Sequence, residues 1–413
     1  MENGEAQNDD ASGPVGQERP RILFATIAAG GSHVSTAHAL AEAIECHYPG
    51  EFDLAVREPM LDYGFEELDR RHKESWKRAL GNPWTIVWGQ VLIDAFPRLT
   101  AAFHRRFLAE FARRAAHELA AEPPDLIVVN HGWLMTAFTL AQRRFGLQVP
   151  VVTFETSTIN ANALWAEPNA ERVIVASPES KRRLLRFGLS EARVDVVGYP
   201  VRQAFLRAPG RDEARQMLGL ADEFTCLVSL GGEGVGGTPE KVARALLRLE
   251  AVQVVVVCGR NEELRRHLAG LDHPRLVVVG FVEEMALYLA ASDVVIGKPG
   301  PATVFEAIAV GRPLLSPMRS GTVENKMSEL LAVHGLGGYR STLEALTEEV
   351  AAYRDEPRLL EEAADRAARL DFAGMAERLA RYLVGYLRTG APDASAVGSG
   401  VPLEPEHEGQ RAW

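Results

Sequence analysis

The 413-residue chain lacks the features of secreted and membrane-spanning proteins. It has only three cysteines, Cys46, Cys226 and Cys258, and their spacing matches no metal-ligand pattern, which favours a reducing, cytosolic compartment. No run of about 18 apolar residues occurs, and the polar, acidic N-terminal stretch contains no apolar segment of a signal peptide. We therefore expect neither secretion nor a membrane span.

A surplus of basic residues is also absent. The 45 Lys and Arg residues are outnumbered by 56 Asp and Glu residues, and the net charge of −11 argues against nucleic acid as a partner. Hydrophobic residues make up 46% of the chain and charged residues 24%, as in a globular protein. Residues 1–19 and 390–413 are instead rich in Gly, Pro, Ser and acidic residues, so we expect disordered tails there.

Between those tails, short apolar β-branched segments alternate with helical segments. The first series begins with RILFATI at residues 21–27 and the second with TCLVSL at residues 225–230. This alternation predicts an α/β protein with mostly parallel sheets covered by helices, and ligands bind such sheets at the carboxyl ends of the strands. Because the pattern lapses near residues 200–211, we expect two Rossmann-like domains that face each other across a cleft, over residues 20–205 and 206–389.

The segment 297–307, GKPGPATVFEA, predicts a site for an anion and a sugar diol. It follows an apolar strand. Gly300 allows close approach of the backbone, Pro301 stiffens the turn, and Thr303 is expected to cap the next helix. The free N–H groups of a helix N-terminus favour phosphate, and Glu306, one turn further on, can accept hydrogen bonds from a ribose. An ordinary strand-to-helix turn with a surface glutamate is the alternative.

A second glycine-containing turn, AAGGSH at residues 28–33, follows the first strand. Gly30 and Gly31 permit a tight turn, and we expect Ser32 to cap the next helix. His33 lies at the start of that helix, where the helix N-terminus lowers its pKa, so that a neutral imidazole could remove a proton from an acceptor hydroxyl. A capping or merely exposed histidine is the alternative.

Other strand ends carry further candidates. His131, in VVNHGW, could also line the cleft. In the second half, LGGEGVGG at residues 230–237 exposes backbone N–H groups able to cradle a diphosphate. Arg260 and Asn261 follow the next strand at the same edge of the sheet, where Arg260 could pair with phosphate. A solvated surface arginine is the alternative.

In this order, the motifs AGGSH, GYPVRQAF, LGGEGVGG, CGRN, GFVEEM and KPGPATVFEA resemble those of the monogalactosyldiacylglycerol synthase family. They resemble, more distantly, those of the MurG-type glycosyltransferases that make bacterial lipid II. The resemblance covers about residues 20–385. It implies a GT-B fold, an inverting transfer without a metal or other cofactor, and a UDP-sugar held mainly by the C-terminal domain.

The resemblance also implies roles for single residues. His33 matches the family's essential histidine and is the implied general base. Arg202 lies in the segment near the diphosphate, and Glu306 matches the glutamate that binds the ribose. Phe281 and Met285 match the segment near the nucleobase. The implied donor-binding residues are Gly31, Arg202, Gly231, Gly232, Glu233, Arg260, Phe281, Met285, Gly300, Pro301, Thr303, Glu306 and Asn325.

Two departures from the family pattern concern the acceptor side. The family's Thr-Asp pair after the central strand is replaced here by Phe154 and Glu155. The histidine of its HPLW-like segment is replaced by Asn162. Since these positions lie toward the acceptor, the resemblance does not define the acceptor. A milder change is Ser32, which stands in place of the last glycine of the family's GGGH loop.

A further departure concerns the donor sugar. The Gln-Gln or Gln-Glu pair that reads the sugar in the family is replaced here by Gly321 and Thr322, shortly before Asn325. The usual galactose or N-acetylglucosamine donor is therefore not implied. Arg319, two residues upstream, could pair with a carboxylate, which makes a uronic acid such as galacturonate or glucuronate a candidate. An arginine that is solvated or binds phosphate is the alternative.

Residues 71–106 form a basic, aromatic segment within an acidic chain. They include seven Lys or Arg residues, two acidic residues and three of the six tryptophans, namely Trp76, Trp84 and Trp88. This mixture suits helices that lie on an anionic bilayer or hold a lipid tail. A packed helical insertion with a solvated basic face is the alternative, but the resembled family docks lipid in this region.

The predicted protein is a UDP-sugar-dependent glycosyltransferase that acts on a lipid or lipid-linked acceptor at the cytosolic face of the cell membrane. Glycolipid synthesis and a specialised pathway, such as that of a phosphoglycolipid antibiotic, are both compatible with the altered sugar-reading positions. Two other predictions stay open. A UDP-sugar 2-epimerase shares the two facing domains and needs no acceptor, and a catalytically inactive nucleotide-sugar-binding partner would retain the fold.

Overall fold

Two parallel sheets form the framework of the protein. A computed structural model describes residues 19–80, 83–229, 239–319 and 322–401. Each sheet has six strands, which confirms the predicted α/β class with two Rossmann-like units. The strands are short runs of Val, Ile and Leu, as expected for parallel strands covered by helices on both faces. In the strand at Val252–Val257, for example, all residues are buried.

The first sheet lies in the N-terminal half and the second in the C-terminal half. The first has the order 2-1-3-4-5-6 and consists of β1 (Arg21–Ala25), β2 (Asp53–Arg57), β3 (Leu126–Val129), β4 (Val151–Phe154), β5 (Arg172–Val175) and β6 (Val194–Val196). The second has the order 12-11-10-7-8-9 and consists of β7 (Phe224–Ser229), β8 (Val252–Val257), β9 (Leu276–Val279), β10 (Val294–Gly297), β11 (Leu314–Ser316) and β12 (Gly337–Tyr339).

Helices connect the strands and cover both sheets. Those of the first half are α1 (Gly31–His47), α2 (Pro59–Asp62), α3 (Glu66–Leu80), α4 (Pro83–Ala95), α5 (Pro97–Phe107), α6 (Ala109–Ala121), α7 (Gly132–Phe145) and α8 (Pro178–Arg186). Helix α9 (Gln203–Leu206) spans the predicted boundary, and those of the second half are α10 (Arg211–Leu218), α11 (Pro239–Leu246), α12 (Glu262–Ala269), α13 (Met285–Ala291), α14 (Pro301–Ala309), α15 (Thr322–Val333), α16 (Leu343–Asp355), α17 (Pro357–Ala368) and α18 (Phe372–Thr389). Short 3₁₀ helices occur at Ala163–Trp165, Glu191–Arg193 and Ala394–Ala396.

The strand orders determine where a ligand can bind. In the first sheet β1 pairs with β2 on one side and with β3 on the other, so the chain leaves β1 and β3 in opposite directions. In the second sheet β7 lies in the same way between β8 and β10. Such switch points open a crevice at the carboxyl ends of the strands. The turns before α1, α7 and α14 all lie at these edges.

The two halves share a hydrophobic core. One cluster of buried side chains includes Leu40 of α1, Phe305 of α14 and Leu383 of α18. The ring of Tyr199 lies 4.4 Å from that of Phe305, between centroids. Helix α1, which follows the first strand, is therefore packed directly against α14 of the second half.

The C-terminal part of the chain returns to the first half. In α18, the Tyr382 hydroxyl donates a hydrogen bond to Asp195 at 2.6 Å. Further on, the amide of Gly398 donates to the carbonyl of Val196 at 2.9 Å, and Val401 is buried. The expected disordered tail from residue 390 is therefore wrong for residues 390–401, because their backbone pairs with the sheet despite their polar composition. The domain boundary near residue 205 stays a prediction.

Within the described ranges, no helix is both long enough and apolar enough to span a bilayer.

Candidate active site

The first part of the candidate site is the turn between β1 and α1. Gly30 precedes the helix with φ of 92° and ψ of 161°, a conformation that favours glycine. The expected cap by Ser32 is wrong, since α1 already begins at Gly31 and Gly30 takes the N-cap position without a side-chain hydrogen bond. His33 lies in the first helical turn, as predicted, and is partly buried at the carboxyl edge of the sheet.

Hydrogen bonds fix the orientation of the His33 ring. Its Nδ1 lies 2.7 Å from the carbonyl oxygen of Asn130, at the end of β3. A carbonyl can only accept, so Nδ1 carries the proton and Nε2 is left with a free lone pair. The side-chain amide of Asn130 donates in return to the His33 carbonyl at 2.5 Å. The Thr156 hydroxyl oxygen lies 3.2 Å from the same Nδ1. The ring is thus held as a neutral base with Nε2 as its proton acceptor.

The charge state of His33 follows from its surroundings. Burial lowers the pKa of His33 to about 4, while the hydrogen bond to Asn130 opposes that shift. The helix N-terminus was the expected cause of the lowered pKa of His33, but burial is the largest cause. The imidazole is therefore neutral at physiological pH, as a general base must be.

The second part of the site is the turn between β10 and α14. Gly300 occupies the N-cap position and Pro301 the first helical position. Thr303 is consequently inside the helix, and its expected role as the cap is wrong. A β-carbon built on Gly300 would lie 3.9 Å from the Ser32 hydroxyl oxygen. The glycine turns of the two halves therefore face each other.

Glu306 lies one turn into α14 and is partly buried. Its Oε1 accepts a hydrogen bond of 2.9 Å from the hydroxyl of Ser35, which belongs to α1. Burial raises the pKa of the Glu306 carboxyl, whereas Ser35 and the charge of Arg202 oppose that shift. The carboxylate thus lies at the junction of the halves. It contacts α1, the helix that also carries His33.

Arg202 is close to this junction but has a partner in the first half. Its Nε donates to Glu42 of α1 at 3.0 Å, and the other oxygen of Glu42 accepts from the amide of Gln203 at 2.7 Å. The contact orients Arg202 toward α1. Its expected role at a diphosphate stays a prediction.

A separate pair lies at the ends of β8 and β9. The Arg260 guanidinium lies 4.5 Å from the centroid of the Phe281 ring, which is exposed. Asn261 caps α12, because its side-chain oxygen accepts from the amide of Leu264 at 2.9 Å. Met285 begins α13 and packs against the shared core. Arg260 and Phe281 are both exposed and lie at the same edge of the sheet as the start of α14. A nucleobase could stack on this pair, and a phosphate could contact the guanidinium.

Three predicted donor residues, Gly231, Gly232 and Glu233, lie outside the described residues, as does Gly321. Asn325 is partly buried in the first turn of α15. Beside it, Glu324 pairs with Lys298 from the β10 turn at 2.8 Å. The start of α15 is thereby tied to the turn that holds Gly300.

The basic aromatic segment forms α3, α4 and α5. Asp94 at the end of α4 accepts from the amide of Ala163 at 2.8 Å and from Arg183 at 3.1 Å. Arg105 makes a bidentate pair with the buried Glu167, at 2.9 and 2.7 Å. The segment is thus firmly attached to the first half. It nevertheless leaves large apolar side chains exposed, which we call the apolar face: Trp84, Trp88, Val91, Leu92, Phe96, Leu99 and Phe103.

Residues that surround His131 were not predicted from the sequence. His131 caps α7 and is buried, and its ring centroid lies 4.8 Å from that of His33. The centroids of His131 and His72 are 5.2 Å apart, and His72 lies 4.1 Å from Trp133. His72 lies in a helix without a glycine turn or motif, so its sequence context carried no signal.

Comparisons with known proteins identify glycosyltransferases as relatives of this chain. A family model described as the glycosyltransferase family 28 C-terminal domain matches residues 238–379, and one described as glycosyltransferase family 4 matches residues 74–203. The chain is 28% identical over 313 residues to a protein from Oryza sativa subsp. japonica named probable monogalactosyldiacylglycerol synthase 2, chloroplastic. That match covers 71% of this chain and 65% of the relative.

Solved structures resemble the whole two-domain arrangement. A putative UDP-N-acetylglucosamine 2-epimerase from Listeria monocytogenes has a TM-score of 0.55 at 15% identity, covering 91% of this chain and 98% of that one. The calicheamicin glycosyltransferase CalG4 has a TM-score of 0.57 at 18% identity, covering 91% of this chain and 100% of that one. At these identities the likeness concerns the fold alone, and it confirms the GT-B class.

Proposed function

We propose that this chain, which resembles the monogalactosyldiacylglycerol synthases in sequence and the GT-B glycosyltransferases in fold, transfers a sugar from a UDP-sugar to a hydroxyl of a lipid acceptor. The observation that carries the proposal is the hydrogen bond from His33 Nδ1 to the Asn130 carbonyl at 2.7 Å. It leaves Nε2 of a neutral imidazole as a base at the edge where the two halves meet.

In the proposed reaction, the acceptor oxygen attacks the anomeric carbon of the donor while its proton passes to His33 Nε2. The bond between that carbon and the β-phosphate oxygen breaks, UDP leaves with the bonding electrons, and the anomeric configuration inverts. The N-terminus of α14 favours the departing diphosphate. Arg202 would add a positive charge there, and Glu306 would accept hydrogen bonds from the ribose. The uracil ring of the donor would lie near Arg260 and Phe281.

The apolar face supports a lipid acceptor taken from an anionic membrane surface. Trp88 and Leu92 are 67% and 63% exposed, and one helical turn separates them, so they point to the same side of α4. Basic residues of the same segment, including Arg98 and Arg106, would contact anionic headgroups. We place the protein peripherally on the cytosolic face of the cell membrane.

For the donor, we propose a uronic acid. The guanidinium of Arg319 lies 4.9 Å from the centroid of the Tyr339 ring and is exposed near the start of α15. Stacking on the Tyr339 ring would orient the planar guanidinium so that two of its N–H groups can donate to a carboxylate. A charged sugar on a lipid is a product suited to a specialised phosphoglycolipid pathway, such as that of an antibiotic, as well as to membrane glycolipid synthesis.

Product analysis tests the proposed function. The protein is incubated with a panel of UDP-sugars and vesicles that contain lipid acceptors, and the lipids are examined by mass spectrometry. We expect a glycosylated lipid and free UDP. Incubation with the donor alone tests the epimerase alternative, because an epimerase needs no acceptor. An epimerised UDP-sugar in the absence of acceptor, with no lipid product, would contradict the proposal, and nucleotide-sugar binding without any turnover would favour an inactive partner.

A further inference from the structure

A group of imidazole rings extends from the apolar face to His33. We call it the histidine cluster, and it consists of His33, His72, His104 and His131. Trp133 lies among these rings. Its ring centroid is 4.1 Å from that of His72 and 6.4 Å from that of His104. His72 is in turn 5.2 Å from His131, which is 4.8 Å from His33. The cluster is therefore continuous from α5 to the proposed base.

The outer end of the cluster is connected to the apolar face. Phe103 stacks on Phe107 with 6.0 Å between ring centroids, and Phe107 lies 5.4 Å from Trp133. Both phenylalanines are exposed. A lipid that enters between these rings would bring its headgroup to the imidazoles, while its acyl chains stay at the apolar face.

One buried ring nitrogen of the histidine cluster lacks a hydrogen-bond partner among the described residues. Nδ1 of His131 accepts from the amide of Trp133 at 3.2 Å, so its neutral ring carries the proton on Nε2. Nε2 of His72 is buried and has no hydrogen-bond partner among the residues that the structure describes. A buried polar atom without a partner is uncommon in a folded protein and indicates a missing ligand or a functional role.

The surroundings favour an uncharged ligand. Burial lowers the pKa of His72, His104 and His131, and mutual repulsion lowers that of His131 further. Lys73, the cation beside His72, is already paired with Asp69 at 2.7 Å and with Glu58 at 3.0 Å. In the described part of the chain, no three His, Cys, Asp or Glu side chains are arranged to hold a metal ion. Neutral imidazoles can both donate and accept, which suits hydroxyl groups.

We propose that the histidine cluster is the acceptor headgroup site, where His72 Nε2 hydrogen-bonds a second hydroxyl of an uncharged polyol or glycosyl headgroup while His33 deprotonates the reacting hydroxyl. The inference rests on the proposed transferase function and extends it to the acceptor. An acceptor with a single hydroxyl would satisfy His33 alone and leave His72 unpaired. An anionic headgroup would find no unpaired cation at His72, because Lys73 is already bound.

Steady-state kinetics with three lipids of identical acyl chains test this inference. The lipids are monoglucosyldiacylglycerol, diacylglycerol and phosphatidylglycerol, each at the same low mole fraction in vesicles of one anionic host lipid, so that the surface charge is nearly the same. We expect the wild type to favour the glucosyl lipid. His72→Phe is expected to raise the KM for that lipid about tenfold and to leave the KM for the UDP-sugar unchanged, because one buried hydrogen bond is lost. His72→Gln, which retains a donor and an acceptor, is expected to recover most of the loss.

His117→Phe is the matched control, since the His117 side chain is 79% exposed on α6. Circular dichroism and UDP affinity report whether each variant is folded. Wild-type preference for diacylglycerol or phosphatidylglycerol would overturn the inference, as would unchanged acceptor KM in both His72 variants or an equal change in the KM for the UDP-sugar. These outcomes leave the transferase proposal intact. Failure of the wild type to glycosylate any lipid would instead contradict the proposed function, and this inference with it.

Discussion

The Ser35 hydroxyl of α1 donates a 2.9 Å hydrogen bond to the Glu306 carboxylate of α14. Helix α1 also carries His33 in its first turn. The contact therefore couples the proposed base, in the first half, to the proposed ribose-binding carboxylate in the second. The hydroxyls of Thr36 and Tyr199 lie 3.1 Å apart within the first half, and the Tyr199 ring packs against Phe305 of α14 across the same junction.

Ser35→Ala is expected to weaken donor binding. Without the Ser35 hydroxyl, the buried carboxyl of Glu306 loses a hydrogen bond that lowers its pKa, so the carboxylate is less favoured and less well oriented. We expect the KM for the UDP-sugar to rise about three- to tenfold and the acceptor KM to stay constant. Initial-rate kinetics measure both values. Ser341→Ala, at an exposed position, serves as the control, and an acceptor-specific defect in Ser35→Ala would contradict the assignment of Glu306 to the donor.

The neutral His33 predicts an acid-sensitive fold. Its pKa is about 4 in the folded protein and close to the ordinary 6.5 in the unfolded chain, so between these values only the unfolded chain takes up the proton. Stability from this group is therefore lost as the pH falls through that window. Relative to His33→Gln, the wild type should lose about 2 kcal/mol more between about pH 7.5 and about pH 5. Urea unfolding at both pH values measures this difference, and equal losses in the two proteins would show that His33 is not held neutral.

The apolar face is expected to bind anionic vesicles. The double variant Trp88→Ala, Leu92→Ala removes two exposed side chains of α4, so it should weaken binding at least about tenfold while stability changes little. Co-sedimentation with phosphatidylglycerol vesicles measures the affinity. Met217→Ala is the control, because Met217 is 63% exposed on α10, away from the segment. Equal binding by the wild type and the double variant would contradict the proposal that α4 binds the membrane.

Arg319 is expected to select the donor. Arg319→Gln should raise the KM for UDP-glucuronate or UDP-galacturonate about tenfold, because a charge-assisted bidentate contact is lost, and should leave UDP-glucose and UDP-galactose nearly unchanged. Arg358→Gln, at an exposed position of α17, is the control. Wild-type turnover that favours a neutral sugar would exclude the uronic acid donor, whatever the effect of the substitution.

Strands and strand ends could be predicted from the sequence because their signals are local. Runs such as that at Val252–Val257 are β-branched and apolar, and glycines mark the turns that follow β1 and β10. The caps were harder to predict. Ser32 and Thr303 have the chemistry of caps, but Gly30 and Gly300 lie one helical turn or less upstream and take those positions instead.

Contacts between distant parts of the chain could not be predicted. Arg202 has a local sequence context suited to phosphate, yet it pairs with Glu42, which is far away in the sequence. His72 lies near the proposed site only because α3 folds against α7 near Trp133. Gly398 joins the first sheet through its backbone, which composition does not reveal.

The central claim is that His33 is the general base of sugar transfer to a lipid, and single-turnover transfer by His33→Ala tests it most directly. With saturating UDP-sugar and lipid, we expect the rate of glycolipid formation to fall about 10²- to 10⁴-fold, while the affinity for UDP and the melting temperature stay close to those of the wild type. A transfer rate within about twofold of the wild type would contradict the claim, since loss of a general base costs far more than that.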